Sequence, residues 1–223
     1  VKVMKQRILA ILLSLTMMFT LVPTAMAEGE TAVAKVGDVE YETLQAAINA
    51  ATAGQTVKLV ANTAEDIKIS ADKDITLDLG NSKLTNKSGD TITVEKGGKL
   101  SISDIHVKGS FVNFGEVTLN GGTFKRSAEK GTYSPYVNGG NSWYTIANYG
   151  TMEINTGVTV ENAGGYSSMI RNGGDVTADC NLTIEGGNFA GGVNTVKNDS
   201  FGVLTINGGN FSNTAQYVIM NWN

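Results

Sequence analysis

Thr118-Leu119-Asn120-Gly121-Gly122-Thr123-Phe124 returns as Thr183-Ile184-Glu185-Gly186-Gly187-Asn188-Phe189, and again as Thr205-Ile206-Asn207-Gly208-Gly209-Asn210-Phe211. Glu153-Ile154-Asn155-Thr156-Gly157-Val158 is a weaker copy. A second phrase lies ahead of each copy: an apolar residue, any residue, then Asn. It occurs as Phe111-Val112-Asn113, Ile146-Ala147-Asn148, Ile170-Arg171-Asn172, Val196-Lys197-Asn198 and Ile219-Met220-Asn221. The last four of these Asn are 24, 26 and 23 residues apart. A period of this length marks stacked supersecondary units, each too small to bury its own apolar face.

The content of the period selects the type of unit. Val203-Leu204-Thr205-Ile206-Asn207 and Leu182-Thr183-Ile184-Glu185 alternate apolar and polar residues, are rich in β-branched side chains, and are bounded by Gly and Asn. Such runs read as short strands. No helical period interrupts them, and a propeller blade needs roughly 40 residues or more. The expected fold is therefore all-β, a right-handed parallel β-helix (solenoid) with two or three strands per coil. Stacking would place Ile184 under Ile206, and Phe124, Phe189 and Phe211 in one apolar column. The recurrent Asn would form a ladder in which each amide bonds to the next. The Gly-Gly steps permit a positive φ at the corner and let the next coil approach.

Ahead of the repeats, Leu44, Ala47, Ile48 and Ala51 follow i, i+3, i+4, i+7, the stripe of a short amphipathic helix. Thr43 is its expected N-cap and Gly54 its stop. Thr56-Val57-Lys58-Leu59-Val60 and Asp74-Ile75-Thr76-Leu77-Asp78-Leu79 read as the first strands. A short capping helix at this end would cover an apolar stack and open strand edges.

Tyr41-Glu42-Thr43-Leu44-Gln45-Ala46-Ala47-Ile48-Asn49-Ala50-Ala51, then Gly54-Gln55-Thr56-Val57-Lys58-Leu59, then Ile75-Thr76-Leu77-Asp78-Leu79-Gly80-Asn81 resembles the opening of pectin-lyase-like right-handed β-helix domains. Those domains occur on secreted and cell-surface proteins, commonly of Gram-positive gut bacteria. The Asn-Gly-Gly-x-Phe coils are similar to their later turns, so the resemblance runs from about residue 35 to the end. It implies a fold more than an activity, because the superfamily holds pectate lyases, polygalacturonases and non-catalytic adhesin-like domains.

Export is read from the first residues. Lys2, Lys5 and Arg7 precede an apolar run from Ile8 to Val22, then Pro23 and the small-residue pattern Ala25-Met26-Ala27. That is the order of a secretory signal peptide cleaved after Ala27. The apolar run is short of the roughly 20 residues that span a bilayer, so an anchor is disfavoured. Cleavage removes three cations and no acid, and the formal charge moves from -4 to -7. That surface argues against nucleic acid and against docking on anionic lipid. The expected location is secreted or extracellular, including the cell surface, with no membrane insertion after cleavage. The one cysteine, Cys180, has no partner for an internal disulfide and lies in an alternating stretch, so it reads as a small buried hydrophobe.

Catalysis was weighed on residues. Glycoside hydrolysis needs two carboxylates placed across the scissile bond. The resemblance implies, for a lyase, acidic Ca²⁺ ligands beside a basic Arg or Lys. Arg171 has Asp175 and Asp179 near it in sequence, and Asp104 stands two residues from the only histidine, His106. Neither spacing is specific, and solvated wall positions explain both. No close run of aspartates, phosphate loop, EF-hand or zinc spacing occurs. No catalytic residue, cofactor or metal is expected.

The binding candidate is the insertion from Ser127 to Thr145, which holds Tyr133, Tyr136, Trp143 and Tyr144 among Gly, Asn and Ser. Insertions in solenoids leave one face and carry binding surfaces. Aromatic faces stack on sugar rings, and amides and hydroxyls meet their hydroxyl groups. The simpler reading is that these aromatics anchor the loop against the wall. The expected plan is a signal peptide over 1–27, a lead-in over 28–40 and a parallel β-helix over 41–223 that continues past Asn223. The expected function is a non-catalytic spacer or adhesin in contact with cell-surface or extracellular glycan. The alternative is a polysaccharide lyase or glycoside hydrolase acting on acidic polysaccharide, with an active site partly outside this stretch.

Overall fold

The computed structural model describes residues 31–103, 106–108, 110–125, 144–162, 167–174 and 176–222. The leader expected over 1–27, and with it Asp104, Tyr133, Tyr136, Trp143 and Asp175, lies outside the described residues. The protein is mostly β. Among the described residues the strands form a 14-stranded and a 7-stranded sheet.

Pairing is parallel throughout the repeats, and it sorts the strands into three ladders. The first joins Thr56–Leu59, Asp74–Asp78, Lys99–Ser103, the first half of Glu116–Lys125, the first half of Thr151–Asn162, Cys180–Ile184 and Gly202–Ile206. The second joins Thr63–Ala64, Lys83–Thr85, His106–Lys108, the second halves of the two long strands, Asn188–Gly191 and Asn210–Ser212. The third is the 7-stranded sheet, from Ile67–Ile69 to Tyr217–Asn221. The chain visits the ladders in the same order on each pass, so residues one period apart in sequence become hydrogen-bonded neighbours.

Two-residue alternation decides what points inward. In the first ladder Leu77, Ile102, Leu119, Ile154 and Ile184 stand in register and are all fully buried. In the second, Phe124 pairs with Val160 and Val160 with Phe189, and the Phe189 ring stacks on Phe211 at 4.7 Å. Burying each such side chain contributes about 1.5–3 kcal/mol. The corner glycine Gly187 has φ +111°, and a Cβ there would stand 2.6 Å from the Val158 carbonyl oxygen of the previous pass. Both backbone conformation and space therefore demand glycine.

The Asn of the second phrase point inward at the end of the last five of the seven third-ladder strands. Asn113 Nδ2 donates to Asn148 Oδ1 at 2.7 Å, Asn148 to Asn172 at 2.8 Å, Asn172 to Asn198 at 2.9 Å and Asn198 to Asn221 at 2.9 Å. The second hydrogen of each amide goes to a main-chain carbonyl, such as Asn148 to Asn181 O at 3.0 Å and Asn172 to Val203 O at 3.1 Å. With its donors and acceptors paired in this way, a buried polar row is inexpensive.

The two ends differ. At the start, Ala34–Val36 pairs antiparallel with both Val39–Tyr41 and Thr56–Leu59, and the helix Leu44–Ala50 buries Leu44, Ala47 and Ile48. Thr43 Oγ1 accepts from Ala46 N at 3.1 Å, and the Glu65 carboxylate accepts from Leu44 N at 2.9 Å and Gln45 N at 3.1 Å. The N-cap is thus as the sequence predicts. The stop is not: the helix closes at Ala50 with Ala51 as its C-cap, and Gly54 serves the following turn with φ +79°. Lys73 Nζ donates to the carbonyls of Asn49 and Ala51, both at 2.8 Å, and satisfies the helix end before Gly54 is reached. In the last pass, by contrast, Ile206 and Ile219 are exposed, although their register partners Ile184 and Val196 are fully buried.

Candidate functional site

The middle residue of each apolar-x-Asn phrase faces away from the Asn row. In register these are Val112, Ala147, Arg171, Lys197 and Met220. Their outer face is not bare. Ala147, Tyr149 and Cys180 are buried together, with Val112, Phe114, Tyr144 and Val176 packed around them. A second, smaller apolar cluster therefore lies outside the wall, and Arg171 sits inside it at 7% exposure.

A buried guanidinium needs partners. Arg171 Nη2 lies 3.0 Å and Nε 3.1 Å from Asp199 Oδ2, and Nη1 donates to the Tyr149 hydroxyl at 3.4 Å. Its Cζ lies 5.4 Å from the centroid of the Tyr144 ring and 5.9 Å from that of Tyr149. Phe114 stacks on Tyr149 with centroids 5.2 Å apart. Gly174, at φ +110°, leaves the space that the guanidinium fills; a Cβ there would overlap it. Lys197 Nζ meets the same Asp199 oxygen at 2.9 Å and lies 5.7 Å from the centre of the Trp222 ring, which is 58% exposed.

The charges hold one another. Burial alone would raise the Asp199 pKa, but the Lys197 ammonium and then the Arg171 guanidinium bring it below its ordinary value. For Arg171, burial would lower the pKa, and Tyr144, Tyr149 and Asp199 raise it instead. A carboxylate shared by two cations is a poor general base, so the cluster is built to hold charge in place, not to move protons. Cys180 is 1% exposed, its thiol is pushed up first by burial and then by Asp179, and its Sγ donates to Ala178 O at 3.6 Å. It is buried as its alternation suggests, but at the corner where its strand begins, so it joins the outer cluster.

The residues singled out from sequence fall in different places. Tyr144 is half-buried beside Arg171. Arg171 is paired with Asp199 from the next pass, while Asp179, nearer in sequence, is exposed. His106 stands in the second ladder between Lys83 and Thr123. Among the described residues no group of His, Cys, Asp or Glu is placed to hold a metal ion. Sequence reasoning missed Tyr149, Lys197, Asp199 and Trp222. Their signal was the repeat itself: aligning the Asn phrases sets Arg171 beside Lys197, with Asp199 two residues on. Compared with models of known protein families, with curated proteins and with solved structures, the chain matches none of them.

Proposed function

We propose that this chain is a secreted or surface-displayed right-handed parallel β-helix that acts as a non-catalytic spacer or adhesin and contacts glycan through the outer face of its third ladder. The fold name is supported by three in-register parallel ladders visited in constant order, and by a helix and an antiparallel strand pair at one end. Export is supported by the leader sequence. The pectin-lyase-like resemblance rests on the residues quoted above and extends to fold alone.

One observation carries the glycan reading. Tyr144, Tyr149, Trp222, Arg171 and Lys197 gather on one face of the third ladder, with Trp222 open to solvent. An exposed indole flanked by a fixed ammonium suits the apolar face and the hydroxyls, or an acid group, of a sugar ring. The enzyme reading gains less, because Arg171 and Asp199 satisfy each other.

The test is a glycan-array and pectin-binding screen on residues 28–223, with a parallel assay for unsaturated product on polygalacturonate with Ca²⁺. Saturable binding without turnover, lost in Tyr144→Ala combined with Trp222→Ala, is expected. Turnover would replace this reading with the lyase, and silence in both assays would leave a spacer alone.

A further inference from the structure

Asparagine followed by glycine is chemically labile, because the glycine nitrogen, unshielded by a Cβ, can reach the asparagine side-chain carbon. Three such steps lie among the described residues: Asn120-Gly121, Asn172-Gly173 and Asn207-Gly208. The fold treats them differently. Asn172 is fully buried, both ends of its amide are hydrogen-bonded, and Gly173 N donates to Asn148 O at 3.0 Å. Asn120 is exposed, but its Nδ2 donates to Ser101 Oγ at 3.0 Å, its Oδ1 accepts from Asn155 Nδ2 at 3.0 Å, and Gly121 is held in the strand pairing with Gly157. Asn207 is exposed and lies just past the end of its strand. Its side chain is tied at one end, Nδ2 donating to Glu185 Oε1 at 2.9 Å. Gly208 lies outside any strand, and its N–H is engaged by no backbone carbonyl among the described residues.

We infer that Asn207 is a site of spontaneous deamidation, selected by the fold from among these three equivalent dipeptides. The Gly208 nitrogen attacks Asn207 Cγ and loses its proton. The side-chain nitrogen takes up a proton and leaves as ammonia, which closes a five-membered imide. Water then adds to one of the two imide carbonyls and opens the ring to aspartate or its β-linked isomer. The net change is one water consumed and one ammonia released. The product places a carboxylate one rung, about 4.8 Å, from Glu185, where the amide had donated a hydrogen bond. The last pass therefore gains negative charge with age and loses a tie to the pass before it.

The measurement is a peptide map by mass spectrometry of the folded chain aged at mildly alkaline pH, with a second sample aged in denaturant. Among these three sites, conversion in the folded chain is expected first at Asn207, later at Asn120 and not at Asn172. In denaturant the three sites are expected to convert at similar rates, and Asn207→Gln is expected to remove the converted form of its own peptide and leave the rest of the map unchanged. Conversion of Asn120 or Asn172 as fast as Asn207 in the folded chain would overturn the inference. So would the same ranking in denaturant, since the selection would then not come from the fold.

Discussion

Two neighbouring positions in the third ladder behave in opposite ways. Inward, Asn113, Asn148, Asn172, Asn198 and Asn221 repeat without change. One residue earlier and outward, the register reads Val112, Ala147, Arg171, Lys197, Met220. Within the run from Asn113 to Asn221 an interior amide is both donor to the next and acceptor from the last, and a buried break leaves groups unpaired on both sides; before that run the same position holds Ile69 and Val94, which need no partner. The outer row has no such chain to maintain, so the wall tolerates any side chain that its own surroundings can accommodate. Repetition therefore marks the scaffold, and departure from repetition marks where a distinct role has been placed.

The comparison breaks most sharply at Asn172. Asn172→Ala leaves the Asn148 donor and the Asn198 acceptor unpaired, and a loss of about 3 kcal/mol is expected in urea denaturation. Asn221→Ala, at the exposed end of the same row, should cost well under half of that. Equal losses at the two would show that the amides act singly and not as a chain.

Arg171 tests the outer row. Arg171→Met leaves Asp199 buried with Lys197 as its remaining side-chain partner, and about 2 kcal/mol should be lost. Combining it with Asp199→Asn should recover a good part of this in a double-mutant cycle. No recovery would mean that the guanidinium acts through packing on Tyr144 and Tyr149 and not through its ion pair.

Phe201 sharpens the contrast between the passes. It holds φ +63° while 50% exposed, where the turn closed by the same kind of bond at Glu95–Gly98 uses Gly97 at φ +94°. Phe201→Gly relieves a left-handed conformation costing 1–2 kcal/mol but frees the unfolded chain, so a net gain of about 0.5 kcal/mol is expected in thermal unfolding. A loss would show that the exposed ring packs more than its exposure implies.

The smallest effect is on pH dependence. Asp199 and Asp66 both have pKa values below the ordinary carboxylate value. Burial acts against this at each site; the Lys197 and Arg171 cations outweigh it at Asp199, and the backbone N–H groups of Lys87, Gly89 and Ser88 outweigh it at Asp66. A lowered folded pKa adds stability that is complete above the unfolded value near 3.9 and is lost as pH falls through the folded one. Asp66→Asn should therefore flatten the acid limb of a stability-pH profile below about pH 4 and leave its slope near neutrality unchanged. An unchanged acid limb would assign that limb to Asp199 and the other carboxylates.

Much of the architecture was legible in the chain. Alternation named the inward residues of the first ladder, the period named the five Asn that meet, and the stripe of Leu44, Ala47 and Ile48 named the helix with its Thr43 cap. The site was less legible. Tyr144 and Arg171 stand out in the sequence, but separately, and the acids nearest Arg171 along the chain are Asp175 and Asp179.

The reason is physical. Alternation and period are local properties, enforced by backbone geometry wherever a strand has one wet and one dry face, so the sequence alone determined parallel β structure, its apolar columns and its amide row. Which side chains share the outer face depends on register between passes that lie 22 to 35 residues apart in sequence. Only the tertiary structure decided that Asp199, 28 residues away, would neutralise Arg171, and that Asn207 would stand less protected than Asn120 and Asn172 in the same dipeptide.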